Sequence, residues 1–366
     1  MINQRETRST CPHRTENCDE EHQLATPTPP PPPGLPLPPP GLPLPLPEQP
    51  PTPLPSLPLP PVPEQPTPHP CLPSPRSQPS VTGRVPSTDV KSHYADIQRR
   101  EVHTGIHKLL KWGVCKLDDN ESIWLASNRH TVPILQQGPE CGIAALCIAL
   151  NMLEPSSCTK VNKSHISTTA KEKGFTLQGE MFSATNMLEL ARHVAKVSGK
   201  VVSGTMVENH HGIIGHLANG WPVLVPYDKD GNCEPCCKRG HKAHWAVLTG
   251  FVLQANQHSM SDLHSTSWQH DSDKPNLYHM ATPNGPTTSS QAIRSVLDNI
   301  SISNIYVLAR QGKSTHVHPW EYSALSDSNA NLVELGSNIT DEIGSFVIPE
   351  GGIQAGLCNQ VVLIRP

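Results

Sequence analysis

Hydrophobic and polar positions settle into regular patterns only past residue 96, and the pattern changes character once along the chain. Residues 97–112 mix polar and apolar positions ahead of Gly113, which predicts a helix closed by a turn. Residues 134–142 form a loop around Gly138-Pro139. The segment that follows is apolar on every side, from Ile143, Ala144, Ala145 and Leu146 through Cys147, Ile148, Ala149 and Leu150 to Met152 and Leu153. Alanine and leucine favour helix, and apolarity all round marks a buried one. Asn151 and Pro155 mark its end.

Residues 184–197 read as an amphipathic helix with Met187, Leu188, Ala191, Val194 and Ala195 on one face. A further helix is expected over 209–218, stopped by Gly220. Beyond it the segments are short and rich in β-branched and aromatic residues, which predicts strands at 221–226, 245–253, 302–308, 346–348 and 361–364. Helices come first and strands later, so the fold class is α+β with a largely antiparallel sheet.

Composition separates the first quarter from the rest. The 366 residues include 41 prolines, most of them before residue 90. That stretch lacks the apolar surface needed to offset chain entropy, so residues 1–90 are expected to be a disordered arm, with a polyproline tract at 26–80. Residues 96–366 are expected to form the folded domain. Pro29-Pro30-Pro31-Pro32-Pro33-Gly34-Leu35-Pro36 favours extended polyproline II, either a stiff spacer or a ligand for an aromatic groove. Five prolines flanked by Gly and Leu look like the ligands of profilin, with SH3 and WW domains as alternatives.

The net charge of -4, with Lys and Arg scattered, argues against nucleic acid and against a polybasic membrane patch. No stretch approaches the roughly 20 apolar residues of a membrane span. Met1 to Thr10 is polar, with no apolar run after it. Eleven cysteines in that setting suggest reduced thiols and a cytoplasmic or nuclear location. No phosphate-cradling or dinucleotide motif is present, and Gln311-Gly312-Lys313-Ser314 lacks the upstream glycine of a P-loop, so no cofactor is expected.

Candidate chemistry centres on Cys141. It falls at the N-terminus of the buried helix, where free N–H groups and the helix dipole favour a thiolate. Gly142 removes the neighbouring side chain and lets a substrate backbone approach. Gln136, five residues upstream, is a candidate oxyanion donor together with the Cys141 backbone N–H. Cys147, inside the helix, reads as core. A nucleophilic thiol needs an imidazole to take its proton. His244 opens a predicted strand in Gly240-His241-Lys242-Ala243-His244-Trp245, with Trp245 placed to exclude water, whereas His241 sits in a turn. Asn284 and Asp228 are candidates for the group that orients the imidazole. A rival reading takes Cys233, Cys236, Cys237, His241 and His244 as a zinc site, although the two-residue histidine gap is short for one.

Six strings in order resemble the actin maturation protease family: Gly138-Pro139-Glu140-Cys141-Gly142, Gln178-Gly179-Glu180-Met181-Phe182, Pro226-Tyr227-Asp228, Gly240 to Val247, Gln311-Gly312-Lys313-Ser314 and Gly351 to Cys358. They run through most of residues 134–366. The resemblance implies a cytosolic cysteine aminopeptidase with a papain-like or bacteriocin-peptidase-like fold. Its substrate would be immature actin, from which it removes the acetylated N-terminal Met or Cys. Carried over by position, Cys141 is the nucleophile and His244 its partner, while Gln136 as oxyanion donor rests on analogy to thiol proteases at large. Two other functions fit the same residues. One is a general thiol hydrolase, either a deconjugating protease or an acyltransferase. The other is a proline-rich cytoskeletal adaptor with an inactive protease domain.

Overall fold

The computed structural model describes residues 87–111, 122–153, 160–256, 267–281, 286–336 and 343–366. The proline tract, Gly113, Pro155 and Asn284 lie outside these residues.

The centre of the fold is a long strand, β5 (Ala243–Asn256), buried along nearly its whole length. One edge of it pairs with two strands in succession: β3 (Val223–Lys229) along Ala243 to Leu248, and β1 (Ser122–Asn128) along Gly250 to Asn256. The other edge pairs with β8 (Ile302–Gln311). Gly250 has no room for a side chain, because a Cβ there would lie 2.1 Å from the Ser127 carbonyl oxygen. The sheet continues through β2 (Ser198–Ser203) and β10 (Gln360–Arg365) on one side, and through β6 (Trp268–His270) and β7 (Leu277–Met280) on the other. β4 (Pro235–Cys236) pairs with β3, and β9 (His318–Glu321) with β8. Every pairing is antiparallel except that of β1 with β7.

Alternation along the strands buries both faces, which is why they read as continuous apolar runs. Trp245, Val247, Leu224, Val362 and Ile364 pack under α2 (Cys141–Leu153), α3 (Lys163–Glu172) and α4 (Ala184–Val194). Ala246, Leu248, Val223, Val225, Val361 and Leu363 face α5 (His210–Ala218), α6 (Pro286–Asn299) and α7 (Tyr322–Ala330). α1 (Ser87–Lys111) lays Val102, Ile106 and Leu109 on Trp124, Ala126, Tyr306 and Leu308. Glu101 of α1 also accepts hydrogen bonds from Arg310, Asn128 and His130, which fastens this helix to the sheet. A short helix, α8 (Gly352–Gly356), precedes β10.

The α+β class and mostly antiparallel sheet are as the sequence reads. One expected strand is absent: residues 346–348 have no strand partner, because the Val347 N–H donates to the Glu180 carboxylate instead (2.9 Å). The first helix begins at Ser87, ten residues before its expected start. Past Pro86 nothing in the chain interrupts a helix.

Candidate active site

Cys141 is the first residue of α2, and the loop before it is built to start a helix there. Gly138 adopts a positive φ of 55°, the Cys141 N–H donates to the Pro139 carbonyl at 2.9 Å, and the Ala144 N–H begins the helical ladder on Glu140. Gly142 has a different reason from the one its position suggests. A Cβ there would lie 2.8 Å from Met181 and 2.9 Å from Met187, so the glycine admits the 181–187 segment beneath the helix. That segment is held from two sides. The Trp245 indole N–H donates to the Met181 carbonyl at 2.7 Å. Glu180, buried, accepts the N–H groups of Leu177, Gln178 and Val347. Burial pushes its carboxyl up, but these bonds outweigh burial and hold it below the usual range.

His244 lies near the start of β5 and is buried. Its Nε2 lies 3.4 Å from Gln311 Oε1, at the end of β8. Gln311 is fully buried and pairs in register with Ala246, two residues from His244, which puts both side chains on one side of the sheet. Gln311 Oε1 also accepts the Lys313 backbone N–H at 2.6 Å. An N–H can only donate, so the amide oxygen must face this corner. His244 Nε2 therefore carries the proton, and Nδ1 is left as the basic nitrogen. Among the described residues Gln311 is the side chain that bonds the imidazole, the contact sought from Asp228; the other candidate, Asn284, lies outside them. The visible signal of Gln311 was an amide ending an apolar strand, beside the Gly312-Lys313-Ser314 string.

Asp228 does something else. It is fully buried, and its carboxylate accepts the backbone N–H groups of Lys238, Gly240 and Lys242 at 2.9, 2.7 and 2.8 Å. It shapes the turn that delivers His244 rather than touching the imidazole. His241 is exposed and bonds Glu334 at 2.9 Å. With His241 on Glu334 and His244 on Gln311, neither histidine is turned toward the Cys233–Cys237 loop. Cys236 Sγ points at the Asp228 carbonyl, and all three cysteines of that loop are free. The arrangement favours a histidine base over the zinc reading.

Burial, the largest influence, pushes the Cys141 thiol up. It is opposed by the backbone N–H groups of Trp245, Gly142 and Cys141 and by the Lys313 charge. Desolvation likewise lowers the His244 imidazole to about 4, against the Gln311 hydrogen bond. Burial therefore opposes the thiolate that the helix N-terminus favours, and it opposes the imidazolium as well. Gln136 is held at the same corner. Its N–H donates to Gly312, its side-chain amide donates to the Gly138 carbonyl at 2.8 Å, and Gly312 lacks the Cβ that would meet it. One amide hydrogen remains uncommitted.

These groups line a cleft of about 300 Å³. Met181, Phe182, Phe346 and Leu357 form its apolar wall, while Lys229, Lys242 and Lys313 form a basic one. Among the described residues none of the three lysines has a carboxylate partner.

Residues 131–252 match the family described as actin maturation protease-like, C-terminal domain. The chain is 36% identical over 249 residues to the actin maturation protease of Xenopus tropicalis, covering 68% of this chain and 76% of that one. It is 37% identical over 246 residues to that of Bos taurus, covering 66% and 67%, and 29% identical over 245 residues to that of Drosophila melanogaster, covering 63% and 68%. Among solved structures, a C39-like peptidase from Bacillus anthracis aligns with a TM-score of 0.32 at 11% identity, over 65% of this chain and 98% of that one.

Proposed function

The chain belongs to the actin maturation protease family, and on that premise we propose that it is a thiol aminopeptidase that removes the N-acetylated first residue, Met or Cys, of immature actin. The observation that carries this reading is the cleft itself, with Cys141 at a helix N-terminus and His244 held in one tautomer by Gln311. His244 Nδ1 takes the thiol proton as Sγ attacks the carbonyl carbon of the acetylated residue. The oxyanion accepts the free hydrogen of the Gln136 amide. The imidazolium then gives its proton to the leaving amine, and water repeats the sequence on the thioester. An acetylated terminus is neutral, so it suits the apolar wall of Met181, Phe182 and Phe346 and needs no carboxylate to anchor an amine. The three lysines suit an acidic leaving chain.

The test is a peptide series followed by mass spectrometry. A peptide beginning N-acetyl-Met followed by acidic residues should lose one acetylated residue, and the same sequence extended by three residues ahead of the methionine should stay intact. Cleavage of the extended peptide at the same bond would replace the aminopeptidase reading by an endopeptidase. The basic wall adds a sharper expectation. Lys242→Glu should raise KM on the acidic peptide by about five- to tenfold at low salt, and barely alter KM for a peptide with neutral residues after the methionine. Equal effects on both would remove the lysine from substrate recognition.

The pH profile follows from the buried imidazole. The base form of His244 persists down to about 4. The acid limb of kcat/KM should therefore lie near pH 4, with activity level between pH 5.5 and 7.5, instead of near the 6.5 of a free histidine. A limb at 6.5 would place the base elsewhere.

The proline-rich arm is proposed to bind profilin and so concentrate profilin-carried actin at the cleft. Deleting residues 26–80 should raise the apparent KM on profilin–actin and leave turnover of the short peptide intact. Equal loss on both substrates would reject this role.

A further inference from the structure

A second constellation lies well apart in the sequence from the catalytic residues. His103 projects from α1, Asp271 follows β6, and His279 lies on β7. Both imidazole Nε2 atoms converge on one carboxylate oxygen: His103 Nε2 is 2.8 Å and His279 Nε2 2.7 Å from Asp271 Oδ2. The three ligand atoms all lie within 4.8 Å of one another. Asp271 is 2% exposed, so this is not an acidic group on open surface. Its other oxygen accepts the N–H groups of Asp273 and Lys274 at 2.9 and 3.0 Å, which fixes the plane of the carboxylate. Those bonds are the kind of outer support that orients a metal ligand.

We propose that His103, Asp271 and His279 form a binding site for one divalent transition-metal ion, with zinc the best match to the donor set. Two neutral imidazoles and one carboxylate are the ligands zinc accepts, and three protein ligands leave a fourth position open. Zinc bonds of about 2.0–2.2 Å would set tetrahedral ligand atoms roughly 3.4 Å apart, so each imidazole nitrogen need draw back from the carboxylate oxygen by only about 0.6–0.7 Å. In the ion-free protein each Nε2 donates its proton to the Asp271 carboxylate, so binding through Nε2 moves that proton to Nδ1, which has no hydrogen-bond partner among the described residues. The carboxyl is already ionised. Burial pushes it up, but bonds from His103, the Asp273 N–H and His279 outweigh burial and hold it well below the carboxylate range. Arg99 lines the same cleft as His279, and its positive charge works against the ion.

The open position has somewhere to face. His279 lines a cleft of about 250 Å³ together with Gln98, Arg99, Asn128 and Gln269, and none of the residues named for the peptidase cleft takes part in it. The ligands come from a helix and from a hairpin whose strands have only three and four residues. An ion here would fasten α1 to that hairpin.

The test titrates chelator-stripped full-length protein with Zn²⁺ and with Co²⁺. Three variants are compared: His103→Ala, His279→Gln, and a cysteine control carrying Cys233→Ser, Cys236→Ser and Cys237→Ser. Wild type and the cysteine control should each bind one ion per chain. The cobalt complex should lack a thiolate charge-transfer band, and zinc should raise the melting temperature. Either histidine variant should bind at least tenfold more weakly and lose the zinc-dependent rise, while still cleaving peptide, which shows that it is folded. Tight binding that survives both histidine changes, binding that disappears in the cysteine control, or no binding by wild type would each overturn the proposal.

Discussion

Replacing His244 by alanine lowers kcat/KM on an N-acetylated peptide by about a thousandfold, the range general-base removal occupies. Burial pushes the thiol in this cleft up, so attack by Sγ calls for a base to take its proton. Helix-terminal N–H groups do not substitute for the imidazole. Gln311→Ala acts through the same group and is milder, lowering kcat by about tenfold or more with KM little changed. It frees His244 to adopt the other tautomer, in which Nδ1 carries the proton and cannot accept one. A general loss of structure would also lower apparent kcat at unchanged KM, so the pH profile separates the two: it moves if the imidazole changes tautomer and stays fixed if only the amount of active protein falls. Steady-state kinetics on both variants, with circular dichroism to confirm folding, checks the pair. A His244→Ala variant within tenfold of wild type would remove the imidazole from the mechanism.

Glu101→Ala destabilises the fold by about 3–5 kcal/mol, the usual consequence of stranding one member of a buried ion pair. Arg310 is 4% exposed, and its guanidinium reaches Glu101 from the middle of the sheet. Burial pushes Arg310 down, and Glu101 is the charge that opposes this. The same carboxylate accepts from Asn128 and His130, so the substitution removes one acceptor from three donors. Arg310 also precedes Gln311, and loosening the end of β8 should reduce turnover as well as stability. Urea unfolding of wild type and variant measures the first effect. A change under 1 kcal/mol would mean that solvent already compensates the charge.

The strongest signals in the sequence were the ones with a single physical cause. An eight-residue apolar run from Ile143 to Leu150, rich in Ala, Leu and Ile, can be little other than a buried helix, and Cys141 had to fall at its start. His244 was legible because a histidine opening a strand stands out against Trp245, Ala246 and Val247. What stayed hidden depended on contacts between distant segments. Gln311 lies 67 positions from His244, and nothing local distinguishes it from a strand-end amide. Asp228 was visible, but its three backbone partners were not, so an acid that shapes a turn looked like one that orients an imidazole. Residues 346–348 had strand composition, yet the Val347 N–H goes to Glu180, a choice only the tertiary fold decides. The thiol's environment was half legible: a helix dipole can be read from sequence, whereas the depth of burial that opposes it cannot. Helix α7, with three serines, one aspartate and one asparagine in its lower-propensity set, forms because Tyr322 and Leu325 are buried.

The central claim is that Cys141 attacks the acyl carbon of an acetylated first residue, and one comparison reaches it directly. Wild type and Cys141→Ala are incubated with an actin N-terminal peptide bearing N-acetyl-Met, and the products are weighed by mass spectrometry. The account predicts loss of a single acetylated residue with wild type and an unchanged peptide with the variant. Cleavage by both would contradict the nucleophile, and cleavage by neither would contradict the activity.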